Sequence, residues 1–322
     1  MKRRTWVAFG TALGVASATL PATTAAANEI VYSAADQGIV VVGGIGYSWL
    51  EGNELVYDNF GNRISHLIWE TQAPVLTLEA NGRLGGGWTL AANASLGFSG
   101  STHMVDYDWI GAYWQGFNFE DWTHRSLHPN TSLDRYLDFN VAAGHDFALS
   151  EATTINLHGG FKYSNIKWTS TGGTFVYSST GYRANTGTFP DTPGITYEQR
   201  LPGLFLGLSG TSIHGNWTFS GHVRGGATIG ATAIDHHWLR DLRFDEEYTP
   251  VPFVSLAAKA DYSMSHTTSV YLGLDYDRYF HTKSDVRMYN IPTGAPVGGA
   301  MEKGGGLDFT AFKLHGGVKV SF

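Results

Sequence analysis

Apolar and polar residues alternate along many short segments, and this alternation restricts the possible folds more than any other feature. In the last stretch, odd positions carry Lys313, His315 and Lys319. The even positions there are apolar: Phe312, Leu314, Val318, Val320 and Phe322. A period of two is typical of a β-strand with one apolar and one polar face. The 41 glycines and the 10 Trp, 16 Tyr and 18 Phe residues favour an all-β chain, and a membrane barrel in particular.

The alternation predicts ten strands, joined by connections that are alternately short and long. The predicted strands are Ile39–Tyr57, Ile64–Ala80, Trp88–Ser99, Leu133–Phe147, Thr154–Tyr177, Tyr197–Gly210, Trp217–His236, Pro252–Tyr262, Ser269–Phe280 and Asp308–Phe322. The longest predicted loops are Gly100–Ser132, Ser178–Thr196, His237–Val251 and His281–Leu307. Several segments exceed the roughly 9–11 residues that cross a bilayer. We therefore expect a ten-stranded antiparallel transmembrane β-barrel of the outer-membrane type, projecting extracellularly.

The N-terminus has the features of a secretory signal peptide. Met1-Lys2-Arg3-Arg4 precedes a largely apolar stretch that ends at Ala25-Ala26-Ala27. We expect a signal peptide, 1–27, followed by a single domain, 28–322. Three of the 21 basic residues and none of the 28 acidic ones precede the expected cleavage site, so the mature chain has a net charge of −10. This charge argues against nucleic acid and favours cationic ligands. The absence of cysteine excludes disulfides and thiolate metal sites.

Two short motifs carry ionisable residues two positions apart. Asp106 and Asp108 form one pair, and Asp235 and His237 form the other. Residues i and i+2 of a strand point to the same side of a sheet, so each pair shares a face. A carboxylate that orients an imidazole makes the ring a general base. Two adjacent carboxyls share a proton, because their negative charges repel each other. If both pairs face one cavity, they can activate a water molecule.

Unbroken alternation would point both pairs outward. For example, the lipid-facing candidates Trp217 and Phe219 share odd parity with Asp235 and His237. Both strands must therefore slip by one residue below the site. We expect β-bulges to produce the two slips at nearby glycines: Gly97 and Gly100 in one strand, and Gly225, Gly226 and Gly230 in the other.

Two other functions fit these residues. His103, His128, His236 and His237, together with several aspartates, are residue types that bind zinc or calcium in a metal-dependent hydrolase. However, adjacent side chains diverge in a strand and no compact ligand spacing is present, so we expect no metal. The second alternative is a passive barrel, either an adhesin or a small porin with a degenerate site. The four intact residues of the two pairs argue against it.

Longer motifs resemble the omptin family of outer-membrane proteases, and the similarity covers nearly the whole mature chain. His103-Met104-Val105-Asp106-Tyr107-Asp108-Trp109 resembles the family's Met-Val-Asp-x-Asp-Trp. The segment 122–131 resembles its Trp-Thr…Ser-x-His-Pro-Asp-Thr loop, and Asp235-His236-His237 falls where the family's dyad is expected.

The resemblance implies an aspartic-type endopeptidase, in which an Asp–His dyad faces an Asp pair and the water between them attacks the peptide carbonyl. It assigns His237 as the base and Asp235 as the residue that orients it. Asp106 and Asp108 are then expected to position the water or the oxyanion.

The resemblance also implies peptide and protein substrates with basic residues, held through an acidic pocket. Glu54 matches one acid of that pocket, and Met104 and His124 are further expected substrate-binding residues. The second acid falls at Ala233, which carries no charge. Without this acid, a substrate arginine loses one charge-assisted partner. We therefore expect the preference for basic residues to be weaker, or to depend on other contacts.

Supporting residues and an activator follow from the same resemblance. Ser126 and His128 match a loop near the family's site. Omptins need lipopolysaccharide for activity, and Arg200 is expected to face the outer leaflet and bind a lipid A phosphate. We expect no cofactor other than lipopolysaccharide as activator, location in the outer membrane, and an extracellular active site.

Overall fold

Sixteen β-strands in one sheet form most of residues 38–322, which are the residues that the computed structural model describes. The strands are β1 (Ile39–Tyr57), β2 (Arg63–Gly85), β3 (Trp88–Gly97), β4 (Ser101–Asp108), β5 (His124–His128), β6 (Asn130–Ala148), β7 (Thr153–Thr171), β8 (Thr174–Tyr177), β9 (Asn185–Thr188), β10 (Pro193–His214), β11 (Trp217–Thr228), β12 (Thr232–His237), β13 (Leu242–Tyr248), β14 (Pro252–Ser263), β15 (Thr268–Asn290) and β16 (Met301–Ser321). Within the described range, no helix is long and apolar enough to cross a membrane. The expected signal peptide, 1–27, lies outside that range.

The sheet closes on itself as an antiparallel barrel. At the end with the short turns, which we call the lower half, the ring order is β1, β2, β3, β6, β7, β10, β11, β14, β15, β16 and back to β1. In the opposite, upper half, β4, β5, β12 and β13 continue the wall above β3, β6, β11 and β14. The predicted all-β, ten-stranded barrel is confirmed.

Apolar side chains cover the outside of the lower half. Leu206 is 73% exposed and Ile45 is 70% exposed, and similar residues occur on the neighbouring strands. Such a band is the surface that faces lipid in membrane barrels. Inside the same half, Lys162 lies 2.6 Å from Asp138 and 3.1 Å from Asp277, so these buried charges are paired.

Parts of the predicted long loops are strands, and those predictions are wrong. β4 and β5 lie in the predicted loop Gly100–Ser132, and β13 lies in His237–Val251. β9 and the start of β10 lie in Ser178–Thr196, and β15 and β16 both extend into His281–Leu307. Above the membrane the outer face of a strand meets water, so the apolar alternation that marks a spanning strand is weaker there.

The register of β2 slips by one residue between its pairing with β3 and its pairing with β4. The first register ends at Gly97, and the shifted one begins at Ser101. Between them, a Cβ on Gly100 would lie 2.1 Å from the carbonyl oxygen of Gln72, so the crossing is too tight for a side chain. Even positions therefore face outward in β3, as at Leu96, and inward in β4.

A second slip separates the pairing of β10 with β11 from its pairing with β12. The register shifts by one residue between Thr228 and Thr232. Gly230 lies in this break with a φ of 68°, a left-handed conformation that favours glycine. Both predicted slips are confirmed. Gly97, Gly225 and Gly226, however, lie in regularly paired parts of β3 and β11 and form no bulge, so that detail is wrong.

Candidate active site

A stack of aromatic rings fills the upper half of the barrel beneath the candidate site. Trp69 of β2 lies 5.9 Å from Trp168 and 6.0 Å from Tyr197 between ring centroids, and all three are fully buried. Tyr197 pairs with Asp235, and Trp69 pairs with Met104. Burial of such large rings stabilises both strands that carry the site. Met104, a predicted substrate-binding residue, is fully buried beside this stack.

The Asp–His pair is formed within β12. Nε2 of His237 lies 2.5 Å from Oδ2 of Asp235, whose side chain is 2% exposed. On the other ring nitrogen, Nδ1, His237 contacts the guanidinium of Arg240, which follows in the short 3₁₀ helix Trp238–Arg240. Because Asp235 holds Nε2, Nδ1 is the ring nitrogen left to accept a proton.

The Asp pair lies at the end of β4, opposite β2. The hydroxyl of Ser65 donates a hydrogen bond of 3.2 Å to Asp106. Burial, and then the charge of Asp108, raise the pKa of Asp106 well above its usual value. Burial raises the pKa of Asp108 to about 6. Both raised pKa values favour retention of a proton shared by the pair, which titrates as two coupled carboxyls.

The two pairs share one electrostatic environment. The hydrogen bond from Ser65, and then the positive charge of Arg240, lower the pKa of Asp108 against the larger effect of burial. Arg240 lowers the pKa of Asp106 in the same way, whereas the charge of Asp235 raises it. The structure thus brings the four predicted catalytic residues together at the upper end of the barrel.

His124 lies beside the Asp pair on β5. It is the cross-strand partner of Asp108, and its Nδ1 lies 3.0 Å from the Thr123 hydroxyl. Its ring packs 4.8 Å from the ring of Tyr177 on β8. Burial and the charges of the Asp pair raise the pKa of Tyr177 to about 12, so its phenol remains protonated beside them.

Ser126 and His128, the predicted supporting residues, form a buried chain of hydrogen bonds. The Ser126 hydroxyl donates to Nε2 of His128 at 2.8 Å, and Nδ1 of His128 donates to the carbonyl of Gly172 at 2.6 Å. Ser126 is also the cross-strand partner of Asp106. This chain fixes β5 against the turn after β7, so its contacts support the position of the Asp pair.

Two further buried carboxyls lie near Asp235 of the dyad, and we call Glu54, Asp235 and Glu246 the carboxyl cluster. Glu54 is 2% exposed and Glu246 is 3% exposed. Burial, and then the charges of Asp235 and Glu246, raise the pKa of Glu54 well above its usual value. Burial raises the pKa of Glu246 to about 8. Ala233 pairs with Glu246 across β12 and β13.

Arg200 lies on the outer wall, as predicted. It donates hydrogen bonds of 3.0 and 2.9 Å to the two carboxylate oxygens of Glu198. Glu198 also accepts from Arg135 at 3.2 Å and from Asn165 at 2.8 Å. This outer cluster joins two half-exposed arginines to one carboxylate, which leaves a net positive charge above the apolar band.

The histidines considered as metal ligands lie in different surroundings. His103 is half-exposed and lies 2.7 Å from Glu70, whereas the ring of His236 stacks 4.9 Å from that of Trp238. In the range 38–322, no group of three or more His, Cys, Asp or Glu side chains has the arrangement of a metal site.

Sequence reasoning missed four residues of the site, which are Ser65, Tyr177, Arg240 and Glu246. Glu246 is the one for which the sequence holds a signal. Phe244, Glu246 and Tyr248 alternate with charged residues, which is typical of a strand, inside a segment predicted as a loop. Ser65 and Tyr177 approach the catalytic candidates only through strand pairing and packing, for which the sequence carries no local signal. Arg240 contacts His237 three residues along the chain, but no motif marks this contact.

Residues 35–322 match the family model described as Omptin family. The chain belongs to the omptin family. It is therefore an outer-membrane protease, in agreement with the motifs. It is 26% identical over 272 residues to outer membrane protease OmpP of Escherichia coli, covering 81% of this chain and 82% of the relative. It is 25% identical over 286 residues to the plasminogen activator of Yersinia pestis, covering 85% and 86%.

The fold has a solved counterpart. The crystal structure of outer membrane protease OmpT from Escherichia coli aligns with a TM-score of 0.82 at 22% identity, covering 88% of this chain and 97% of that one. At this identity the match supports the barrel, and the roles of individual residues depend on the geometry described above.

Proposed function

We propose that this omptin is an aspartic-type endopeptidase that hydrolyses peptide bonds next to basic residues. The observation that carries the proposal is the Asp235–His237 contact of 2.5 Å in one site with the partly buried carboxyls of Asp106 and Asp108. A base oriented by a carboxylate, opposite a second pair of carboxyls, is suited to activating water.

The proposed reaction begins when Nδ1 of His237 takes a proton from a water molecule. The water oxygen then bonds to the peptide carbonyl carbon, and the electron pair of the C=O bond moves to the oxygen. The Asp pair, which holds one proton, donates a hydrogen bond to that oxygen. Finally the C–N bond breaks, and the leaving amine takes the proton from His237. Asp235 stabilises the imidazolium between these steps.

The site is proposed to lie outside the cell. Two features support this placement: the site lies beyond the apolar band, and it is at the end opposite the short turns. In outer-membrane barrels the short turns are periplasmic and the longer extensions are extracellular.

Lipopolysaccharide is proposed as an activator. Arg200 and Arg135 are half-exposed on the outer wall and share one carboxylate, Glu198. A phosphate of lipid A could pair with both guanidiniums, since arginine binds phosphate in a bidentate manner. Arg200→Ala is expected to weaken activation by lipopolysaccharide while leaving the barrel folded.

The test is cleavage of a fluorogenic peptide with a central Arg-Arg pair, by protein refolded with and without lipopolysaccharide. We expect cleavage that lipopolysaccharide increases and that a chelator does not inhibit. A barrel that binds the peptide without cutting it would instead be the passive alternative, and inactivation by the chelator would favour a metal-dependent hydrolase.

A further inference from the structure

Glu246 lies opposite Ala233, the position at which the resemblance to omptins places the second acid of the substrate pocket. Ala233 and Glu246 are directly paired in the antiparallel ladder of β12 and β13, and both side chains are buried on its inner face. Such cross-strand neighbours have Cβ atoms about 4.5–5.5 Å apart. Ala233 has a short side chain, and the longer side chain of Glu246 brings a carboxyl to the same inner face beside it.

The carboxyl cluster has acceptor atoms without donors. Within residues 38–322, no hydrogen-bond partner is found for Oε2 of Glu54 or Oδ1 of Asp235. In the same range, no Lys, Arg or His nitrogen lies within 4.0 Å of a carboxylate oxygen of Glu54 or Glu246. Buried carboxyls are normally paired or hydrogen-bonded; Asp235 has His237 as its partner, whereas Glu54 and Glu246 lack a cation.

The surroundings hold Glu246 in place. The Tyr248 hydroxyl donates a hydrogen bond to its carboxylate. On β16, which lies beyond β15 in the sheet, a Cβ on Gly305 would lie 2.6 Å from Oε1 of Glu246, so glycine lets the carboxyl rest against the backbone of β16. Tyr197 and Ser284 complete the walls, and neither carries a positive charge.

We propose that Glu246 supplies the second carboxylate of the substrate pocket, and that Glu54 and Glu246 together bind the guanidinium or ammonium group of a basic substrate residue. This inference rests on the proposed peptidase function. Without a cation, burial and then repulsion from Asp235 raise the pKa of both glutamates. A bound guanidinium removes this repulsion and donates to the acceptors that lack partners. A neutral side chain does neither.

The experiment compares two peptides that differ only in having arginine or neutral citrulline before the cleaved bond. The measured quantity is the ratio of kcat/KM for the arginine peptide to that for the citrulline peptide. Glu246→Gln is expected to lower this ratio by at least about tenfold, the loss of one charge-assisted partner. Glu247→Gln, on the exposed face of the same strand, is the matched control and should leave the ratio unchanged.

The double variant Ala233→Asp/Glu246→Gln distinguishes a binding role from a structural one. It returns one carboxylate to the same space from the opposite strand, so we expect it to recover most of the preference for arginine. The inference is overturned if Glu246→Gln leaves the ratio unchanged. An equal loss of both rates that the double variant does not recover would show a structural role and would overturn the inference in the same way.

A binding measurement separates this inference from the proposed function. Uncleavable peptides with a reduced bond, carrying arginine or citrulline, are titrated by fluorescence anisotropy. If the wild type cleaves neither cleavable peptide, the proposed function fails, but preferential binding of arginine that Glu246→Gln removes still supports the pocket. Equal binding of both peptides by the wild type overturns the pocket whether or not the protein cleaves.

Discussion

The guanidinium of Arg240 contacts Nδ1 of His237, on the ring edge opposite the one held by Asp235. In the proposed mechanism Nδ1 accepts the proton of water, so Arg240 must leave this nitrogen before water reaches it. Arg240 is exposed at the mouth of the barrel, so solvent can replace its contact with His237. Its charge also acts on both members of the Asp pair.

Arg240→Gln is expected to move the acid limb of the kcat/KM profile to higher pH. Burial raises the pKa of Asp108 to about 6, and the charge of Arg240 partly opposes that rise. Without this charge the pKa of Asp108 is higher, so a smaller fraction of the carboxyl is ionised at any given pH near 6. Profiles between about pH 4.5 and 9 measure the shift. Arg243→Gln is the control, because Arg243 pairs with Asp245 at 2.8 Å. An acid limb that stays in place would contradict the assigned role.

His237→Ala is expected to lower kcat by about 10²–10⁴-fold, the usual contribution of a general base. Asp106→Asn should also abolish cleavage, because a neutral amide cannot share the proton of the pair. His236→Ala is a matched control, since the ring of His236 stacks on Trp238 instead of joining the dyad. Circular dichroism checks that each barrel is folded. Full activity of either His237→Ala or Asp106→Asn would falsify the mechanism.

The lower half of the barrel was predictable because lipid imposes a strict pattern. A strand between lipid and a filled interior must alternate, and β1 and β14 follow the predicted boundaries to within one residue. The odd position of Asp235 was equally informative, because unbroken alternation would point it toward lipid. A one-residue slip reverses the face of every later side chain. Both slips could therefore be predicted before their positions were known.

The upper half was less predictable because no lipid constrains it. β4 and β13 present polar or charged residues on their outer faces and functional polar residues inside, so their alternation does not stand out from a loop. Glu246 was missed for this reason, although its neighbour across the ladder, Ala233, had been recognised as anomalous. The register between β12 and β13 decides which residue lies opposite Ala233 and can compensate for its missing acid. A single sequence does not give that register.

Gly100→Ala is expected to destabilise the barrel and to lower activity together. The added Cβ would lie 2.1 Å from the carbonyl oxygen of Gln72, so the backbone at the first slip must move. Overpacking of this kind costs about 1–3 kcal/mol in free energy of unfolding, and the shift reaches Asp106 through β4. Gly225→Ala is the control, because nothing lies within 4 Å of a Cβ there. Urea unfolding in detergent and kcat/KM are measured for both. Equal effects of the two substitutions would count against the crossing at Gly100.

Glu246→Gln is expected to flatten the dependence of stability on pH. In the folded chain, burial raises the pKa of Glu246 from 4.5 to about 8. Between these values the folded state binds more protons than the unfolded state, so the free energy of unfolding falls as pH rises. The stabilising contribution of this group is complete below about pH 4.5 and is lost as pH rises through 8.

Glutamine has no proton to lose, so the variant lacks this decline and gains stability relative to the wild type as pH increases. Glu54, Asp235, Tyr197 and Tyr248 also face Glu246, and the charge of Glu246 raises the pKa of Glu54, so the difference between the two curves measures Glu246 together with its effect on its neighbours. Urea unfolding from pH 5 to 9 measures that difference, with the exposed Glu247→Gln as control. Parallel curves for wild type and Glu246→Gln would mean that Glu246 is already ionised at neutral pH. In that case, binding a basic side chain would release no proton from Glu246.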